Sequence, residues 1–237
     1  MNIIVFKESE RVNENLFKIT EKEKIDHIDK LLKAEKGDKI EAGVENGKLG
    51  KAEIKEKTES YMELRFIEEK DPPEKLPITL ICAVPRPKFL KRIIKDAVSM
   101  GVKSIYFVRT WKVEKGFLES AIFDENKIKD YIYLGLEQGK DTVIPKIELK
   151  KSFKKFVEDE LPQISEGAVK IVAHPGGTDS CPHCVDQKTV LFIGPEGGFT
   201  EYEIELIEKT GFKRVNIGER ILRVETAIPF IIGKIIS

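Results

Sequence analysis

Two short segments hold residues whose types and spacing could hold a small molecule and act on it. The first is "GPEGG" at 194–198, where three glycines, a proline and one carboxylate, Glu196, follow the apolar run "TVLFI". Glycine lets backbone approach a ligand closely because it carries no Cβ. The run before the loop reads as a buried strand, and ligands of open α/β sheets sit outside the carboxyl ends of strands. The loop lacks G-x-G-x-x-G and is not followed by Gly-Lys-Ser/Thr, so it is neither a dinucleotide fingerprint nor a P-loop. The plainer alternative is a tight strand-to-helix turn with Glu196 simply solvated.

The second segment, "NIGERILRVETAIPF" at 216–230, interleaves Glu219, Arg220, Arg223 and Glu225 with Ile217, Ile221, Leu222 and Val224. Charges so placed are expected to be partly buried, and a buried charge is costly unless paired. One reading is an Arg–Glu pair stitching a helix start to the sheet. The other is an arginine that meets a substrate, with the glutamate holding it in place. Two polar loops after consecutive strands, with one helix between them, suit a single shared pocket.

Two further groups carry weaker signals. Cys181 and Cys184 form a C-x-x-C in "AHPGGTDSCPHC", 173–184. That is half of a zinc site, to which His174 or His183 could add, or a redox pair. With one such pair, a loop holding no metal is the expected reading. Trp111 and Phe117 follow "IYFVRT"; beside Arg109 they could stack on a base, but core positions are the expected role.

Several elements must position these residues. Residues 2–67 read as short strands: "NIIVF", "LFKIT", alternation around "GD" and "NG" in "KGDKIEAGVENGKLGKAEI", then "ESYMELRFI", with a short helix around 23–33. This is a small β-barrel pattern. "EEKDPPEKLP", 68–77, is a charged linker whose Pro72, Pro73 and Pro77 oppose helix and central strand. Thereafter strands ("ITLICAV", "SIYFV", "AVKIVAH", "TVLFIG", "KRVNIG") alternate with helices ("KFLKRIIKDAVSMG", "NKIKDYIYLGLEQ", "FKKFVEDEL", one capped by Thr200 and Glu203 and closed by Gly211, and a last one after "ETA"). Such alternation implies a mostly parallel sheet. The division falls into domains 1–71 and 72–237.

The 237 residues carry 41 basic and 41 acidic side chains, so net charge offers no shortcut to nucleic acid. Residues 1–71 are net −3 and the remainder +3, so any RNA surface must be a local patch. No apolar run approaches the ~20 residues that span a bilayer. Three cysteines and an N-terminus that meets charge by Lys7 suggest a reducing cytoplasm.

Taken in order, "IGPEGGF" (193–199), "TEYEIELI" (200–207) and "IGERILRVETA" (217–227) resemble the carboxyl-terminal signature of the RsmE family of SPOUT RNA methyltransferases. The resemblance implies an α/β, trefoil-knotted methyltransferase domain behind a small PUA-like amino-terminal β-barrel that binds RNA. It implies a homodimer with its active site at the subunit interface, and S-adenosyl-L-methionine (SAM) held in the knot loops. Carried onto this chain, the SAM contacts fall on Ala173, His174, Gly194, Glu196, Gly197, Gly198, Ile217, Gly218, Ile221, Leu222 and Ala227. The acceptor implied is N3 of a uridine in small-subunit ribosomal RNA, free or within the subunit. Arg223, then Arg220, would stabilise the deprotonated base, and Glu225 would orient Arg223 or act as base. Lys33, Arg86, Lys88 and Arg109 are the RNA-contact candidates. Upstream, "HIDKLLKAEKGD", 27–38, keeps His27, Leu32, Gly37 and Asp38 but has Lys33 where the family has arginine, and Asp141 stands where another family arginine would meet RNA. Those departures leave two alternatives: a non-catalytic RNA-binding or ribosome-assembly factor on the same fold, or a methyltransferase with another RNA target.

Overall fold

Period-two alternation over residues 39–70 builds strands because every second side chain then leaves the water on one face. In the computed structural model, which describes residues 2–118, 123–182 and 187–236, this region forms β1 (Ile4–Phe6), β2 (Leu16–Ile19), β3 (Lys39–Val44), β4 (Leu49–Lys57) and β5 (Met62–Lys70). They join in the order β1-β3-β4-β5-β2, with only β1 and β3 parallel. The "NG" signal makes the β3–β4 hairpin, where Asn46 takes the left-handed backbone the turn requires (φ 53°). The expected short helix is α1 (Lys22–Asp26), which widens into a π-helical turn over His27–Leu31. Phe6, Phe17 and Phe66 meet at the centre of this core, Phe6 stacked on Phe17 at 4.4 Å.

The chain divides into two compact units. One comprises Met1–Glu74 and Ile132–Ile144, the other Lys75–Tyr131 and Pro145–Ser237. The first therefore takes in a return segment that the linear division at residue 71 does not anticipate. Asp141 lies in that segment. It is buried, and its carboxylate accepts the Val143 amide at 2.9 Å. The acid at this position thus caps a turn inside the first unit, where an arginine-for-acid exchange bears on local structure.

The second unit is built on β6 (Leu76–Ala83), β7 (Val102–Val108), β8 (Lys146–Lys150), β9 (Val169–Ala173), β10 (Asp179–Ser180), β11 (Thr189–Ile193) and β12 (Lys213–Asn216). All neighbours are parallel, in the order β10-β12-β9-β11-β6-β7-β8. Its helices are α2 (Pro87–Ser99), α3 (Lys115–Leu118), the first part of α4 (Glu125–Gly139), whose residues from Ile132 on belong to the first unit, α5 (Phe153–Lys155), which runs on through a π turn to α6 (Leu161–Ile164), then α7 (Glu201–Lys209) and α8 (Val224–Ile236). α8 packs against α2. Pro77, expected to oppose a central strand, lies inside β6. It is tolerated because β6 pairs with β11 only from Ile78 and its register with β7 is irregular between Leu76 and Thr79. Strands β8 and β10 were not expected. Both are edge elements, β8 reading "KIELK" with no fully buried residue and β10 only two residues long.

The Thr200–Glu203 capping box forms as expected. Thr200 Oγ1 accepts the Glu203 amide at 3.2 Å, and Glu203 Oε2 accepts the Thr200 amide at 2.8 Å. The other carboxylate oxygen of Glu203 accepts the Trp111 amide at 2.7 Å, so one buried side chain fixes both the start of α7 and the loop after β7. Replacing Glu203 by alanine strands these amides. Glu203→Ala should lower the unfolding free energy by about 2 kcal/mol in urea titrations, whereas exposed Glu205→Ala should change it by less than about 0.5 kcal/mol.

In the first unit, Glu137 is 2% exposed and its Oε1 accepts the Val5 amide at 3.3 Å. Burial pushes its carboxyl up to about 7, against the pull of buried Lys24. The folded carboxyl thus holds its proton more tightly than the unfolded one. Its contribution to stability is fully present below about pH 4.5 and is lost as pH rises through about 7. Glu137→Gln should therefore raise the thermal midpoint at pH 8, by an amount on the order of 2–3 kcal/mol in stability, and change it little at pH 4.5. Equal effects at the two pH values would contradict the assignment.

Candidate active site

The register of the parallel sheet sets the site. Ala173 at the end of β9 pairs with Ile193 of β11 on one side and with Val215 of β12 on the other. Three adjacent strands therefore stop at one level, and the loops that leave them, 174–177, 194–199 and 216–223, are forced together. They enclose a cavity of about 350 Å³. Its walls are Ala173, His174 and Pro175 from the first loop; Gly194, Glu196, Gly198 and Phe199 from the second; and Asn216 through Val224 with Ala227 from the third.

Local chemistry holds each loop. Gly194 allows the Phe199 ring to fold back, since a Cβ there would lie 2.9 Å from the ring. Gly177 is needed for a different reason: its backbone passes against β12, and a Cβ would stand 2.6 Å from the Val215 carbonyl carbon. Asn216 Oδ1 accepts the Gly218 amide at 2.8 Å and turns the third loop. The His174 amide donates to the Val215 carbonyl, and His174 Nδ1 accepts the Gly176 amide at 3.1 Å. Burial, assisted by the charge of Arg214, holds the His174 pKa below the usual histidine value. A neutral imidazole therefore lines the cavity at pH 7. Lys112 Nζ donates to the carbonyls of Gly197 (2.8 Å) and Phe199 (3.3 Å), bracing the glycine loop from outside.

Ten of the eleven residues predicted to contact the cofactor line this one cavity. Gly197 is the exception, its carbonyl being turned to Lys112. Glu196 is exposed, and its Oε1 accepts the amide of Arg86, the residue just before α2, at 3.4 Å. The carboxylate thus sits at a helix amino terminus, where a negative charge is favoured. It is more than a solvated turn residue.

The charged segment departs from expectation. Glu219, Arg220 and Arg223 are exposed, and Ile221 is 84% exposed. Only Glu225 is buried. Among the described residues neither arginine makes an ion pair, and Glu225 Oε2 has no hydrogen-bond partner. The expected Arg223–Glu225 pair is therefore absent. Arg220 and Arg223 line the cavity while Glu225 does not. The physical reason lies in the helix boundary: α8 starts at Val224, so Glu225 turns inward with the helix while residues 218–223 stay in the open loop.

Of the RNA-contact candidates, Arg86 and Lys88 are exposed at the start of α2, and Arg109 is half-buried after β7. Lys33 is exposed in the first unit and adopts a left-handed backbone (φ 51°). Trp111, expected in the core, is 85% exposed. Cys181 is buried, and burial pushes its thiol pKa up; Cys184 and His183 lie outside the described residues. Among the described residues no cluster of His, Cys, Asp and Glu could hold a metal. Gly177, Asn216 and Lys112 are site-building residues that the sequence reading did not single out; the second glycine of "PGG" was the available signal for the first.

A sequence model of an RNA methyltransferase domain matches residues 72–236. Ribosomal RNA small subunit methyltransferase E of Treponema pallidum is 32% identical over 232 residues, spanning 96% of this chain and 87% of that protein. Ribosomal RNA small subunit methyltransferase E 1 of Borreliella burgdorferi is 32% identical over 215 residues, 85% of this chain and 84% of that one. Among solved structures, a ribosomal RNA small subunit methyltransferase E from Neisseria gonorrhoeae bound to S-adenosyl methionine has the same fold. Its TM-score is 0.74 over 98% of this chain and 96% of that one, at 20% identity. The domain match and the near full-length relatives agree with the three-loop cavity: the chain belongs to the ribosomal RNA small subunit methyltransferase E family.

Proposed function

We propose that this protein is a SAM-dependent methyltransferase that modifies N3 of a uridine in small-subunit ribosomal RNA. The observation that carries this reading is the convergence of the three strand-end loops on one cavity with Arg220 and Arg223 at its wall. Family membership supplies the reaction class.

The cavity fits the donor on several counts. Gly198 and Gly218 have positive φ and open space where a Cβ would stand, so backbone is presented to a ligand. Ile193, Phe199, Ile217 and Leu222 give apolar walls for an adenine, and backbone groups of the 217–222 loop can read its edge. SAM, when bound, supplies a methyl group on a sulfonium, a donor that needs positioning more than acid help.

The acceptor side falls to the chain's own charges. Uridine N3 is protonated at neutral pH and must lose that proton, to solvent water, before it can attack. The resulting charge spreads to the flanking carbonyl oxygens, where a guanidinium stabilises it. Arg223 is the first candidate because it lines the cavity with no carboxylate partner, and Arg220 is the second. Glu225 is buried off the cavity wall with Oε2 unpartnered, so the stabilising role falls to the arginines alone. The target base has to leave its stack to enter. The buried cap at Asp141 takes the reversed charge off the surface, which favours catalysis on the family's RNA over a non-catalytic factor.

The finer architecture belongs to the same proposal. It comprises a trefoil knot formed by the three loops with α8, a PUA-like module over residues 1–71, a methyltransferase domain over 72–237, and a homodimer that completes the active site. No helix of the described residues is long and apolar enough to cross a membrane. The proposed ribosomal substrate places the protein in the cytoplasm.

Mass mapping of nucleosides in 16S RNA from a strain lacking the protein, before and after adding it back, identifies the product. In the same assay Arg223→Ala should lower methyl transfer by at least about 100-fold, while calorimetry shows SAM affinity within a few-fold of the parent. Retained transfer would remove Arg223 from the reaction.

A further inference from the structure

Next to the cleft lies a second cavity, of about 600 Å³, that methyl transfer does not use. The two are neighbours in sequence as well as space: Phe199 lines the first and Thr200 the second. Its lining joins the loops after β7 and β8 to the start of α7. Two features are unusual. Trp111 and Tyr202 expose large rings, 85% and 57%. Thr110, only 2% exposed, has a hydroxyl without a hydrogen-bond partner among the described residues. A buried polar group without a partner costs free energy that a ligand can return.

The charges around these groups are mostly basic. Arg109 and Lys151 make no ion pair among the described residues, and Lys154 lies 3.8 Å from Glu158. Glu203, the acid on the lining, is already committed to the Trp111 and Thr200 amides. An apolar protein partner has no use for this ring of cations, whereas a phosphodiester chain does.

We propose that this cavity seats a nucleotide of single-stranded RNA, its base stacked on Trp111 and its edge bonded to Thr110 Oγ1. Arg109, Lys151 and Lys154 meet the adjoining phosphates. This inference rests on the reading of the protein as an RNA methyltransferase and adds to it a strand-binding subsite distinct from the cavity that takes the target base. The loop that carries the platform also braces the donor site, since Lys112, next to Trp111, holds the carbonyls of Gly197 and Phe199. RNA seated here is therefore linked mechanically to the glycine loop.

Trp111 is the sole tryptophan of the chain, so its emission reports this cavity directly. The full-length protein is titrated with single-stranded oligouridine and with an abasic oligomer of equal length, and binding is read independently from the polarisation of labelled oligomers. Oligouridine should quench the emission saturably, while the abasic oligomer binds by charge and leaves it unchanged. Trp111→Ala should weaken oligouridine binding by about five- to a hundredfold, with Trp111→Phe restoring most of it. Lys151→Ala should lower the slope of log affinity against log salt by about 1. Binding without any change in emission, an unchanged affinity in Trp111→Ala, or no binding of either oligomer would overturn the proposal. So would a concentration-dependent blue shift without RNA, which would mean that a second copy covers the ring. Methylation of 16S RNA measured in parallel separates the two readings. Methylation with Trp111 emission silent removes only this subsite, whereas quenching without methylation removes only the proposed reaction.

Discussion

The parallel register that aligns Ala173, Ile193 and Val215 is the constraint on which the rest of the second unit depends. Parallel strands send every following loop out of the same edge of a sheet, and equal strand ends bring those loops to one height. Once that is fixed, three short loops have nowhere to go except against one another. The chain meets the crowding with glycine at the points of contact, Gly177 against β12 and Gly194 under the Phe199 ring. The cavity is what remains where the loops part.

The same edge carries more than the proposed donor site. β6 pairs with β11 through Cys82 and Ile193, and β7 with β6 through Phe107 and Cys82. The segments that begin α2 and carry Arg109–Lys112 therefore leave from the same level. Hydrogen bonds then join them across the edge: Glu203 holds the Trp111 amide, Lys112 holds the glycine loop, and Glu196 faces the Arg86 amide. The loops at the carboxyl ends of β6, β7 and β11 are thus tied into one continuous surface.

Much of this was legible in the sequence. The apolar runs of β6, β9 and β11 announce themselves because both of their faces are buried. The capping box at Thr200 and the "NG" hairpin are local chemistry that needs no tertiary help. Beta strand β8 was not legible, because an edge strand reading "KIELK" has no buried face to betray it, and β10 is too short to carry a pattern. The 216–225 segment misled for a physical reason: interleaved apolar and charged residues suggested burial, but residues 218–223 stay in an open loop, and only Glu225 is carried inward by α8. Trp111 misled similarly, since size and apolarity argue for the core while a backbone bond to Glu203 holds it at the surface. Asp141 shows the converse, a residue whose charge suggested a surface role and whose place is a buried turn. The family resemblance lay in ordered loop motifs, and no periodicity could have supplied it.

In the proposed function, loops 174–177, 194–199 and 216–223 close around one methyl donor. A crystal structure of the protein with S-adenosyl-L-homocysteine tests it most directly. The ligand should lie inside the three-loop cavity, its adenine against the backbone of residues 217–222 and its amino-acid end beside the 194–198 glycines. Ligand bound at any other place, or a cavity that stays filled by its own side chains at saturating ligand, would contradict it.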